Sequence, residues 1–114
     1  MTEILHVTSR TVWLAAQNSG SYAADTLATG GFIHCSTREQ VLRVANALFA
    51  GQRGLVLLVV DLRRLRPEVR WELGVDRPED LFPHVYGPIN LEAVVRVLDF
   101  EPGPDGLFVL PTLI

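Results

Sequence analysis

Three rhythms of apolar and polar residues divide this 114-residue chain into helices, exposed-face strands and one buried strand. Near the start, Ile4, His6 and Thr8 alternate with Leu5 and Val7, the period-two pattern of a short strand over Ile4–Thr8. Thr8 or Ser9 then caps a helix running to about Asn18, on which Val12, Trp13 and Ala16 form an apolar stripe. Gly20 is its expected stop. Residues Ser21 to Thr29 follow neither period and read as irregular, with Tyr22 and Asp25 as their notable side chains. From Gly30 to Gln40 the chain reads as a flexible turn, a strand through Phe32–Ile33–His34–Cys35, and a capped helix start. Ser36 with Glu39 and Thr37 with Gln40 both fit the spacing of a capping box. The helix extends from about Arg38 to Ala50 on a face of Val41, Leu42, Ala45, Leu48 and Phe49, and Gly51 ends it.

Gly54 to Asp61 is the strongest strand signal, apolar at every position from Leu55 to Val60 and so suited to the centre of a sheet. Asp61 to Pro67 turns. Val69, Trp71 and Leu73 alternate with Arg70 and Glu72, a half-exposed strand. Gly74 to Pro83 reads as a surface loop, and the prolines leave Phe82 to Pro88 no helical option. Ala93 to Phe100 is another apolar strand, and Pro102 to Gly106 a turn that brings Leu107–Leu110 back as its hairpin partner. The sum is a single α+β domain over residues 1–114, with two main helices and a small mixed or antiparallel sheet of five to six strands.

Composition narrows the class. Hydrophobic residues are 48% and charged residues 20%, a folding composition rather than a disordered one. A net charge of −3 makes the chain a poor candidate for non-specific nucleic-acid binding, which depends on neutralising phosphates. One cysteine excludes an intramolecular disulfide or a multi-cysteine zinc site. The segment MTEILHVTS has an early acid and no basic region before an apolar run, so it reads as no signal peptide. The apolar run from Leu55 to Val60 is too short to span a membrane, and the cytoplasm is the expected location.

The candidate chemistry lies in the histidines. Each stands two residues before a hydroxyl, as His6–Thr8, His34–Ser36 and His84–Tyr86, and in extended backbone each pair shares a face. Three such pairs suggest one polar cleft; three unrelated histidines are the plain alternative. His34 and Ser36 sit where a strand meets a helix N-terminus, a junction that favours anions and ligand polar groups. Glu72 and Arg70 point away from the Trp71 side, toward such a cleft or into a surface ion pair. Adjacent His34 and Cys35 face opposite ways, which weakens a thiol–imidazole dyad. No Gly-x-Ser-x-Gly elbow, P-loop or dinucleotide glycine fingerprint is present. A three-histidine metal site is conceivable, without the short His-x-x-x-His spacing of common zinc motifs.

The blocks LHVTSRTVW, GFIHCSTREQVLRVAN and FPHVYGPI together resemble the bacterial domain-of-unknown-function family nine-five-two across nearly the whole chain. That family is similar, more distantly, to the ADP-ribosyltransferase superfamily. The resemblance implies an ADP-ribosyltransferase-like fold and a small-molecule nucleotide ligand, NAD or a relative, as substrate or cofactor. It implies ribose contact by His6 with Thr8 beside it, contact to the reacting end by His34 and Ser36, and closure over the ligand by His84 and Tyr86. Arg10 and Arg38, each at a helix start, are the candidates for phosphate contact, and no residue is assigned to a metal. The late-strand acid of that superfamily has no counterpart here; His84 and Tyr86 occupy its place and Glu72 precedes it. The RNA 2′-phosphotransferase branch dispenses with that glutamate, so a transferase or phosphotransferase is implied. The alternatives are a noncatalytic module that binds a nucleotide or another small ligand and a three-histidine metal-dependent hydrolase.

Overall fold

The computed structural model describes residues 2–74 and 80–112. Strand β1 (Glu3–Ser9) leads into helix α1 (Arg10–Ser19), a short strand β2 (Ser21–Tyr22) and helix α2 (Asp25–Gly30). Strand β3 (Ile33–His34) precedes helix α3 (Arg38–Leu48). Strands β4 (Leu55–Asp61), β5 (Glu68–Leu73), β6 (Leu81–Tyr86) and β7 (Ile89–Asn90) follow, then a 3-10 turn (Leu91–Ala93) and strand β8 (Val94–Phe100). The class is α+β with every strand pair antiparallel. Two three-stranded sheets, ordered β1–β4–β8 and β3–β6–β5, supply the six principal strands, and β2–β7 form a separate ribbon. Among the described residues no helix is long and apolar enough to cross a membrane.

Among the described residues one isolated backbone bridge joins the two sheets. The Leu5 and Ser36 backbones exchange a pair of 2.8 Å hydrogen bonds, a single bridge between β1 and the residue that carries β3 toward α3. The strands otherwise pair only within their own sheets, so this is a split sheet rather than a continuous one. β4 is central, as its unbroken apolar run requires, and all seven of its residues are buried. Its alternate residues feed two cores. Val56, Leu58 and Val60 pack with Ile4, Trp13, Tyr22, Ile33 and Val85, while Leu55, Leu57 and Val59 pack with Val41, Ala45, Phe100 and Phe108.

Local signals explain the helix ends. Ser9 Oγ accepts from the Val12 N–H and starts α1, and Thr37 with Gln40 makes the full capping box of α3. Thr37, not Ser36, is therefore the cap. The Gln40 amide works twice: its Oε1 accepts from the Thr37 N–H at 3.0 Å and its Nε2 donates to the Leu81 carbonyl at 2.7 Å, fixing α3 to β6. Gly31 closes α2 at φ 86°, the left-handed region where a Cβ is costly.

Several expectations are corrected. Ser21–Thr29 is not irregular: it holds β2 and most of α2, elements too short for periodicity, with Tyr22 paired to Ile89. Among the described residues α2 therefore joins the two main helices, α1 and α3, as a short third. The expected loop from Gly74 to Pro83 gives way to strand at Leu81, while residues 75–79 lie outside the described residues. Phe82–Tyr86 belongs to the central strand of its sheet despite Pro83. Pro83 fits because β3 stops at His34. Its carbonyl accepts from Cys35 N–H, and its hydrogen-free nitrogen faces the same way, past the last ladder pair. Leu107–Leu110 forms no hairpin strand; Phe108 stacks on Phe100 at 4.6 Å and its N–H donates to Asn46 Oδ1. Val12, Leu48, Trp71 and Leu73, each placed on a buried stripe by pattern, are exposed.

Candidate functional site

A cleft of about 800 Å³ opens beside the bridge between the two sheets. Residues of β1, β3, α2, α3 and β6 line it, His6, Thr8, His34, Ser36 and His84 among them. The structure thus brings the three histidines and two of their three hydroxyl partners to one cleft. Tyr86 is not in the lining and neither are Arg10 and Arg38. Arg10 is instead ion-paired with Asp99 on β8, and Arg38 is an exposed first residue of α3. The phosphate contacts expected of both arginines find no support in that placement.

His6 stands at the inner end, on β1 beside the bridge. Burial lowers its pKa to about 4, so the ring is neutral at ordinary pH. Its Nδ1 lies 2.6 Å from the His34 carbonyl and its Nε2 lies 2.7 Å from the Tyr22 hydroxyl. A carbonyl only accepts, so Nδ1 carries the hydrogen and Nε2 accepts from Tyr22. A directed chain therefore runs from Tyr22 through His6 to the His34 carbonyl. Burial pushes the Tyr22 phenol up to about 12, so it stays a donor. The neighbouring Thr8 hydroxyl favours the ionised phenol slightly, without offsetting burial. With both His6 nitrogens engaged, direct ribose contact by His6 requires displacing Tyr22. Tyr22 belongs to the site, and its role was hidden because it reaches His6 across 16 residues.

His34 is exposed on β3, whereas Cys35 and Ser36 are both buried as the chain leaves the strand. Ser36 spends its backbone on the bridge to Leu5. Burial raises the Cys35 thiol above its ordinary range, which keeps it protonated and unsuited to nucleophilic work. On α2, Thr26 Oγ1 is a buried oxygen of the lining that has no hydrogen-bond partner among the described residues.

The third histidine has a different environment. β5 and β6 pair Arg70 with His84 and Glu72 with Phe82, so Arg70, Glu72, His84 and Tyr86 share one sheet face, opposite Trp71. Glu72 Oε1 accepts from His84 Nδ1 at 2.8 Å and from the Tyr86 hydroxyl at 2.5 Å. Those two donors, Tyr86 first, hold the Glu72 carboxyl below its usual range, and the same bond raises the Tyr86 phenol. Phe32 stacks on the His84 ring at 4.1 Å and 19°, and the His34 ring meets His84 edge-on at 5.5 Å. Phe32 escaped the motif reading, although it sits two residues before His34 and so on the same strand face. Among the described residues no three of His, Cys, Asp and Glu are grouped to hold a metal ion.

A family model described as "Protein of unknown function (DUF952)" matches residues 7–97. The crystal structure of protein CC0527 from Caulobacter crescentus is 34% identical with a TM-score of 0.85, covering 96% of this chain and 95% of that one. The solution NMR structure of CC0527 is 35% identical with a TM-score of 0.80, covering 94% of this chain and 91% of that one. None of the curated proteins matches the chain.

Proposed function

The chain belongs to the DUF952 family, and from that premise and the cleft geometry we propose a small nucleotide-binding enzyme of the ADP-ribosyltransferase-like kind. Its ligand is of the NAD or ADP-ribose type, and its reaction transfers a ribosyl or phosphoryl group. The observation that carries this reading is the split sheet. β1 and β3 touch at the Leu5–Ser36 bridge, and a ligand-sized cleft opens where they part, with histidines from three strands on its wall. The lining suits a nucleoside: apolar side chains such as Val12, Leu48 and Phe49 for a base, and the orphan Thr26 hydroxyl for a sugar hydroxyl. Thr8 and the Tyr22 hydroxyl stand next to it as ribose contacts, with His6 orienting Tyr22 rather than touching the ligand. His34 and Ser36 line the reacting end, and His84 closes it.

A thermal-shift screen of the pure protein against NAD, ADP-ribose, mononucleotides and zinc tests the reading. A ligand at about a hundredfold its Kd adds roughly 2.7 kcal/mol to the folded state, a rise of several degrees. A rise with NAD or ADP-ribose, followed by nicotinamide release from NAD, is the expected result. Silence from every nucleotide at millimolar concentration would sink it. A shift with zinc alone would favour a metal site instead, and a shift with NAD without release would leave a binding module.

A further inference from the structure

We propose that His84 is the proton acceptor of the cleft and that Glu72, from the neighbouring strand, is the residue that positions it. The substrate named below rests on the nucleotide reading; the pairing of the two side chains does not. Glu72 lies outside the lining while His84 is part of it and meets the carboxylate through Nδ1. The carboxylate only accepts, which puts the hydrogen of the neutral ring on Nδ1 and leaves the Nε2 lone pair bare. Among the described residues Nε2 has no hydrogen-bond partner. His6 differs, since both of its nitrogens are engaged.

Three further contacts fix the pair. Phe32 stacks on the His84 ring and sets its plane. Tyr86 shares Glu72 Oε1 with His84 and anchors the carboxylate at that same oxygen. Arg70, the nearest cation on this face, is held by Glu68 through bonds of 3.0 and 3.2 Å, with its guanidinium 4.4 Å over the Tyr86 ring. Glu72 is thereby left to His84 and Tyr86. The arrangement is the orienting half of a carboxylate–imidazole relay.

The step it serves is transfer to a hydroxyl-bearing acceptor. The acceptor O–H gives its proton to Nε2 as its oxygen bonds to the ribosyl carbon of the donor. The bond from that carbon to the departing base breaks, and its electron pair leaves with the base. The Glu72 charge balances the imidazolium until the proton passes to solvent. His84 is catalytic because it touches the reacting hydroxyl; Glu72 touches no reacting atom and is a positioning residue.

The test reads the ring itself, in the full chain with and without substrate. Histidine ¹⁵N spectra should show His84 hydrogenated on Nδ1, and diethyl pyrocarbonate should acylate its Nε2, with modified sites located by mass spectrometry. Glu72→Ala should move the hydrogen to Nε2 and slow acylation at His84 by at least about tenfold, the lower range for loss of an outer partner. Glu72→Gln, which still offers an acceptor oxygen, should keep the tautomer and recover part of the rate. Acylation at His34 should change in neither variant. A wild-type His84 that carries its hydrogen on Nε2, that resists the reagent, or that reacts equally fast in Glu72→Ala overturns the proposal. Protection of His84 by ADP-ribose supports both readings, whereas a Glu72-dependent rate without protection supports the pair and rejects the nucleotide.

Discussion

His6 and His84 are both almost wholly enclosed, at 8% and 3% exposure, and each precedes a hydroxyl by two residues, yet they sit in opposite chemistry. His6 gives one nitrogen to a carbonyl and the other to a phenol, which makes it a neutral strut between β1, β2 and β3. His84 gives one nitrogen to a carboxylate that can balance a positive ring. Burial alone therefore does not decide what a histidine does. The charge and donor character of its partners decide it.

The largest effect that would break this contrast is in acid. A histidine held at about 4 when folded and near 6.5 when unfolded takes up its proton first in the unfolded chain. That residue's contribution is constant above pH 6.5, falls as the pH drops toward 4, and levels off below. The loss amounts to about 3 kcal/mol. Urea unfolding across that window should show it, and His6→Gln should abolish it. Carboxylates held low by ion pairs add their own loss only further into acid, so the variant is the control. If His6→Gln does not fold, direct titration of the His6 ring resonance answers the same question, and a midpoint near 6.5 refutes the strut.

A smaller effect sharpens the hydrogen-bond chain. Tyr22→Phe keeps the ring and removes the donor to His6 Nε2, leaving a buried acceptor unpaired. The expected cost is about 1–3 kcal/mol in chemical denaturation. A neutral outcome would mean that water or Thr8 satisfies the nitrogen. The smallest effect belongs to the lip of the cleft. His34 is exposed, so His34→Ala should change stability by less than about 0.5 kcal/mol while weakening the ADP-ribose thermal shift. A large stability loss there would make His34 structural.

Motifs with local physics were legible. The Thr37–Gln40 box, the Ser9 cap and the central position of β4 all follow from residues within one element. The facing of Glu72 and Arg70 away from Trp71 was legible too, because strand alternation is a local rule. Short pieces were not. β2 and β7 have two residues each, fewer than any period can register. The exposure of Trp71 and Leu73 was also invisible, since the pattern marks a shared face but not what covers it. Tyr86 shows the same limit, standing on the right face yet anchoring Glu72 from outside the cleft.

By itself the sequence determined an α+β chain with a buried central strand, two capped helices and three histidines spaced to share strand faces with hydroxyls. Only the tertiary structure decided which of those histidines is spent and which is poised. The reason is distance along the chain: Tyr22 lies 16 residues from His6, and Glu72 lies 12 from His84. A ring nitrogen's role is set by the atom that meets it, and those atoms arrive only when the strands pair.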